Sequence, residues 1–173
     1  MRLYTEVVPD SLVAHTRLPR AMVDTTLRRL REAGRIPKGF RHAPPFDAGD
    51  IARILLGLSA MSATAAVDQE RQVGALRLAD GQGEATAERE MIAIVEAATG
   101  ASTIDNDVDT IRIGQTVASL EITARASLRN RRSNLVLARY GEEPPAAAAF
   151  FEIPVAAVFA IARELLNQEN FDD

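Results

Sequence analysis

The sequence predicts an α+β fold: a helical N-terminal domain, then a small domain of two helices and a two- to three-stranded antiparallel sheet. Three observations lead there. Apolar residues recur at helical spacing from Leu12 to Leu78. The period falls to two between residues 109 and 141, over Ile111, Ile113, Leu120, Ile122, Leu135 and Leu137. Between the two regimes lies Ala79-Asp80-Gly81-Gln82-Gly83-Glu84, a polar stretch with two glycines, which divides the chain into residues 1–78 and 85–173.

Residues 2–8 fit a short strand or a lead-in, and Pro9-Asp10-Ser11 has the makings of a helix start, with Asp10 or Ser11 as cap. A short first helix carries Leu12, Val13 and Thr16. Arg17-Leu18-Pro19-Arg20 is the break, because proline disfavours helix at the residue before it yet suits the first turn of a new one. The second helix is expected over about 19–33. Met22, Val23, Leu27 and Leu30 form its apolar stripe. Arg20, Asp24, Thr25, Arg28, Arg29 and Arg31 occupy the opposite surface, and Gly34 ends it.

This stretch resembles the helix-turn-helix of bacterial or phage regulators of the winged-helix and MerR-like kinds. The resemblance rests on Leu12, Val13, Thr16, Leu18, Met22, Val23, Leu27, Leu30, Gly34 and Ile36. It departs at one point: Arg17 stands where those families usually place glycine. The resemblance implies that the second helix enters the major groove of double-stranded DNA, with Arg20, Ala21, Asp24, Thr25 and Arg28 facing the duplex. Arg17, Arg29, Lys38 and Arg41 would position the phosphate backbone. The C-terminal domain would then supply dimerisation, setting two such helices about 34 Å apart. A plain helical hairpin with a solvated basic face would show the same apolar spacing; the basic excess and the spacing together favour DNA.

The excess is local. Residues 1–42 hold nine basic residues against four acidic ones, a charge of +5, so the net −4 of the whole chain leaves −9 on the other 131 residues. An acidic protein with a basic first quarter suggests one anion-binding face.

Residues 37–50 are rich in proline and glycine and read as a loop or small wing, with Lys38 and Arg41 beside the groove. Asp47 or Asp50 caps a helix expected over 48–65, with Ile51, Ile54, Leu55, Leu58 and Met61 inward. Val67, Val73, Leu76 and Leu78 either continue it or form a separate helix. Beyond the glycines, Ala85–Thr99 reads as a helix on Met91, Ile92, Val95 and Ala98. Strands follow over 109–128 and 133–141, joined by a hairpin loop at 128–133. Ala149–Ile153 is a third strand or leads directly into a last helix, which begins near Pro154.

Little else carries chemistry. There is no cysteine, hence no disulfide and no thiolate metal site, which fits a reducing, cytoplasmic setting. The first ten residues lack the apolar core of a signal peptide, and no apolar run reaches membrane-spanning length. The only histidines, His15 and His42, do not make a metal site by spacing. Asp105, Asp107 and Asp109 start like a calcium loop but lack its glycine and its final glutamate, so turn and capping roles are expected. No phosphate-binding loop and no nucleophile motif appear. Neither enzyme activity nor a cofactor is expected. Arg125, Arg129, Arg131 and Arg132 read first as a solvated hairpin that blunts a sheet edge with charge, and otherwise as a surface for phosphates or an acidic partner. The function expected is a sequence-specific transcriptional regulator. The alternative is a DNA-packaging oligomer, since small terminase subunits of tailed phages share this length and element order; the mass of the oligomer separates the two.

Overall fold

The computed structural model describes residues 4–38, 45–80, 84–105, 107–128 and 131–166, with side chains described except at 4–6 and 125–134. Among these residues, six α-helices and a four-stranded antiparallel sheet give an α+β architecture with most of the helices first.

α1 spans Tyr4–Thr16, so the helix start expected at Pro9 moves back to Tyr4 and Pro9 lies inside the helix. Val8 and Leu12, one turn apart, are both fully buried. Their shared stripe packs α1 on the C-terminal helix, and that burial outweighs the hydrogen bond Pro9 cannot donate. α2 spans Arg20–Glu32, within the expected limits.

α3 spans Ala48–Leu58 and opens on a capping box. The Asp50 amide donates to the Asp47 carboxylate at 2.7 Å, and the Asp47 amide donates back to Asp50 at 3.2 Å. Burial pushes the Asp50 carboxyl above its ordinary range, with the Asp47 amide acting against that shift. The helix stops well short of residue 65 because its last groups find other partners. The Ser59 hydroxyl donates to the Leu56 carbonyl at 2.6 Å, and Gln115, in a loop between two strands, donates to the Ser59 carbonyl at 2.9 Å. A short 3₁₀ turn, Ala63–Ala65, leads into a separate helix, α4, over Ala66–Gly74. α5 spans Ala87–Ala97, capped by Thr86, whose hydroxyl accepts the Arg89 amide at 3.3 Å.

The sheet holds β1 (Val108–Gly114), β2 (Ser119–Leu128), β3 (Arg131–Gly141) and β4 (Phe150–Pro154), one strand more than the upper expectation. Spatial order β3-β2-β1-β4 makes it a Greek key: three hairpin-connected strands, with the fourth returning beside the first. The expected loop at 128–133 shortens, because Leu128 pairs with Arg131. α6, Val155–Leu166, closes the chain's described part against α1, α5, β1 and β4.

One face of the sheet buries Ile111, Ile113, Leu120, Ile122, Tyr140, Phe151 and Ile153. The Tyr140 hydroxyl donates to Glu90 of α5 at 2.9 Å, and burial together with that carboxylate raises its pKa. Helices from both segments, 1–78 and 85–173, pack into one continuous apolar core, with α3 on α5 as well as α1 on α6. Leu135 and Leu137, by contrast, are 57% and 42% exposed. The register jumps from Ile122 opposite Ala138 to Thr123 opposite Val136, at a bulge. Residues 77–79 cover one end of β3's outer edge: Ala79 donates to the Arg139 carbonyl at 2.8 Å, and Gly141 donates to that of Arg77 at 2.9 Å.

Candidate nucleic-acid interface

The break between α1 and α2 is built from three residues. The Thr16 hydroxyl donates back to the Leu12 carbonyl at 2.6 Å, and the Arg17 amide donates to the Val13 carbonyl at 3.1 Å, closing α1. Arg17 then adopts φ +59°, the left-handed conformation, and is the one non-glycine residue among those described to do so. That single reversal turns the chain. Pro19, extended at φ −58° and ψ 137°, starts α2 by accepting the amides of Met22 and Val23. At the far end Gly34 takes φ +66°, ending α2.

Val23, Thr26, Leu27 and Leu30 make the buried side of α2. A Cβ on Gly57 of α3 would lie 3.1 Å from the Leu30 side chain, so glycine there lets α2 and α3 approach closely. Beyond the helix, Arg35 donates through two nitrogens to Glu70 of α4, both at 2.8 Å, and Glu70 is fully buried. These hydrogen bonds raise the Arg35 pKa against the opposing effect of burial. α2 is therefore fixed on one side by apolar contacts and just past its end by a buried ion pair.

The other side of α2 is open. Arg20, Ala21, Asp24, Arg28, Arg29 and Glu32 are exposed, as are Arg17 and Lys38, while Thr25 is half-buried. Of the residues expected to face DNA, Arg41 lies outside the described residues. The others are exposed or half-buried, and with Glu32 they make five cations against two acids. The pairing is uneven. Arg20 is held at 3.0 Å by Asp24 and also bonded by Asp10; these contacts raise its pKa, the Asp24 hydrogen bond foremost. Arg28 and Arg29 share Glu32 at 4.0 Å and 3.8 Å, and the Arg28 side chain is 65% exposed. Such surface pairs contribute about 0.5 kcal/mol or less, so both guanidiniums exchange partners readily. Arg20 and Asp24 meet at shorter range than either of these pairs, also at the surface.

Sequence reasoning counted Arg35 simply as part of the basic excess. Its partner lies 35 residues away, and no local pattern announces it.

Other chemistry is sparse. Among the described residues, no three His, Asp or Glu side chains group at metal-binding distance. His15 meets Glu164 of α6 at 2.9 Å, and His42 lies outside the described residues. Asp105 accepts the Asp107 amide ahead of β1, and Asp109 the hydroxyl of its neighbour Thr110 within β1; both contacts are local. A shallow groove of about 540 Å³ runs along α5, lined by Thr86, Glu88, Arg89, Ile92, Ala93 and Glu96. Apart from the cap residue, one helix supplies all of it. No described helix is long and apolar enough to cross a membrane. Comparison with family models, curated proteins and solved structures gives no match.

Proposed function

We propose that this protein binds double-stranded DNA sequence-specifically as a transcriptional regulator, with α2 as the element that enters the major groove. The supporting observation is the pairing of two features at one place: a left-handed residue, Arg17, that turns α1 into α2, and an α2 whose outward face carries weakly paired arginines. At 13 residues α2 is about 20 Å long, and a helix fits a major groove about 12 Å wide. Arg28 and Arg29 have the freedom to trade Glu32 for guanine edges or phosphates. Arg17 and Lys38 flank them as backbone contacts. The C-terminal unit is assigned to dimerisation, which would present two α2 helices to successive grooves.

Selection of bound sequences from random duplexes, read at two salt concentrations, tests this. A defined and palindromic winner is the expected result. Against that winner, Arg28→Ala should weaken binding about tenfold while leaving binding to random DNA nearly unchanged, whereas Lys38→Ala should weaken both alike. Enrichment of no sequence, or equal affinity in both variants, rejects the reading.

A further inference from the structure

β2 and β3 outrun the rest of the sheet. β1 begins at Val108, opposite Ala124, and β4 pairs only along β1. From there on β2 and β3 pair only with each other in the sheet: Arg125 with Asn134, Ala126 with Ser133, Ser127 with Arg132, and Leu128 with Arg131. Four successive pairs make a two-stranded ribbon about 13 Å long beyond the body of the sheet.

The composition of this ribbon differs from that of the sheet it leaves. Arg125, Arg131 and Arg132 are placed on it, and the sequence adds Arg129 between them, outside the described residues. No acidic residue occurs between Glu121 and Glu142. Within the sheet body every described arginine has a carboxylate at hand: Arg112 bonds Glu121 at 2.7 Å and Glu152 at 2.9 Å, and Arg139 bonds Glu121 at 2.9 Å. The ribbon has the same residue type and brings no counter-charge of its own. Between the arginines stand Ala126, Ser127, Asn130, Ser133 and Asn134, small or polar residues that allow close approach of a phosphate chain. A lipid surface would call for large apolar or aromatic residues among the charges, and Leu128 is the only one between residues 125 and 134.

We infer that the ribbon is a second contact to nucleic acid, lying on the phosphates of the duplex that α2 reads. The inference deepens the reading of α2 and assigns the ribbon a sequence-independent role. A two-stranded ribbon has dimensions that a DNA groove admits, and each arginine that neutralises a phosphate adds to the salt dependence of binding.

The test is equilibrium binding of the full chain to a random-sequence duplex of about 30 base pairs, from about 50 to 300 mM salt. The triple variant R125A/R131A/R132A should lower the slope of log affinity against log salt by about 0.9 for each phosphate contact removed, up to about 2.7, and weaken binding roughly 10–100-fold. A glutamine triple variant gives the same reading should the alanine form fail to fold. If the triple variant binds like the parent while Arg28→Ala loses discrimination, the ribbon is overturned and α2 stands. If the ribbon variant weakens binding to both the random and the selected duplex while Arg28→Ala weakens binding to neither, the ribbon stands and α2 falls. A parent chain that does not bind duplex DNA overturns both. Arginine-dependent capture on phosphatidylglycerol vesicles, with DNA binding unchanged, overturns nucleic acid as the occupant.

Discussion

Arginine does opposite work on α2 and on the outer face of the sheet. Across the sheet, Arg139, Glu121, Arg112 and Glu152 stand in register on β3, β2, β1 and β4, alternating in sign. The Glu121 side chain is 3% exposed and takes an arginine on each side, and Arg112 also lies over the Phe150 ring at 3.9 Å. On α2, two arginines share one exposed glutamate at the outer limit of an ion pair. Charge in the first case is consumed inside the molecule, and in the second it is left over. The +5 of residues 1–42 therefore matters less as a total than as a statement of which cations stay available, and Arg35, fixed on buried Glu70, is not among them.

The contrast makes predictions of decreasing size. Removing a buried anion should have the greatest effect. Glu70→Gln removes the carboxylate that Arg35 bonds and should cost about 3 kcal/mol, and Glu121→Gln about 2 kcal/mol, since Arg112 keeps Glu152 and Arg139 keeps Glu143. Thermal unfolding should then fall by roughly 4–12 °C. The two variants should differ in DNA binding: Glu70→Gln loosens the segment beyond α2, whereas Glu121→Gln leaves affinity as it was. Equal effects on DNA binding would erase the distinction between the regions.

Next comes the α2 face. Arg28→Ala and Arg29→Ala should each change stability by less than about 0.5 kcal/mol in chemical denaturation. Together they should lower affinity for the selected duplex by more than about tenfold. A variant that unfolds instead would show these arginines to be structural, like those of the sheet.

The buried side of the same helix gives a smaller effect. Among the described residues the Thr26 hydroxyl is buried without a hydrogen-bond partner. Thr26→Val should raise stability by about 1 kcal/mol with DNA affinity unchanged. Loss of stability would mean that the hydroxyl has a partner in solution. The smallest change is expected at the turn. Arg17→Gly relieves a left-handed non-glycine conformation but frees the unfolded chain, for a net gain of roughly 0.5 kcal/mol. It should also reduce the salt slope of DNA binding by about 0.9, one phosphate contact. An unchanged slope places Arg17 away from the duplex.

Much of the helical plan was legible in the sequence. α2 could be bounded because its apolar stripe, Pro19 before it and Gly34 after it all act within one helix. Arg17 could be singled out because the resemblance placed glycine there, and the backbone at that residue is left-handed. α1 was harder: Pro9 looked like a beginning, and only the joint burial of Val8 and Leu12 against α6 shows that the helix runs through it. α3 was read too long for a similar reason, since Gln115, far along the chain, takes the Ser59 carbonyl. The exposure of Leu135 and Leu137 was not legible either, because alternation groups them with Arg139 without telling which face of the sheet the helices cover.

The candidate interface divides along the same line. The residues of one helix share a face by geometry alone, so Arg20, Asp24 and Arg28 could be grouped from spacing. Whether each cation is free could not be read that way. Sequence by itself determined the extent of α2, the change of period beyond the glycine pair and the uneven spread of charge, because those depend on neighbours within a few residues. The tertiary structure alone decided which arginines are neutralised. Arg35 finds Glu70 across 35 residues, and Arg112 finds Glu152 across 40, through packing and strand register that bring distant carboxylates within 3 Å.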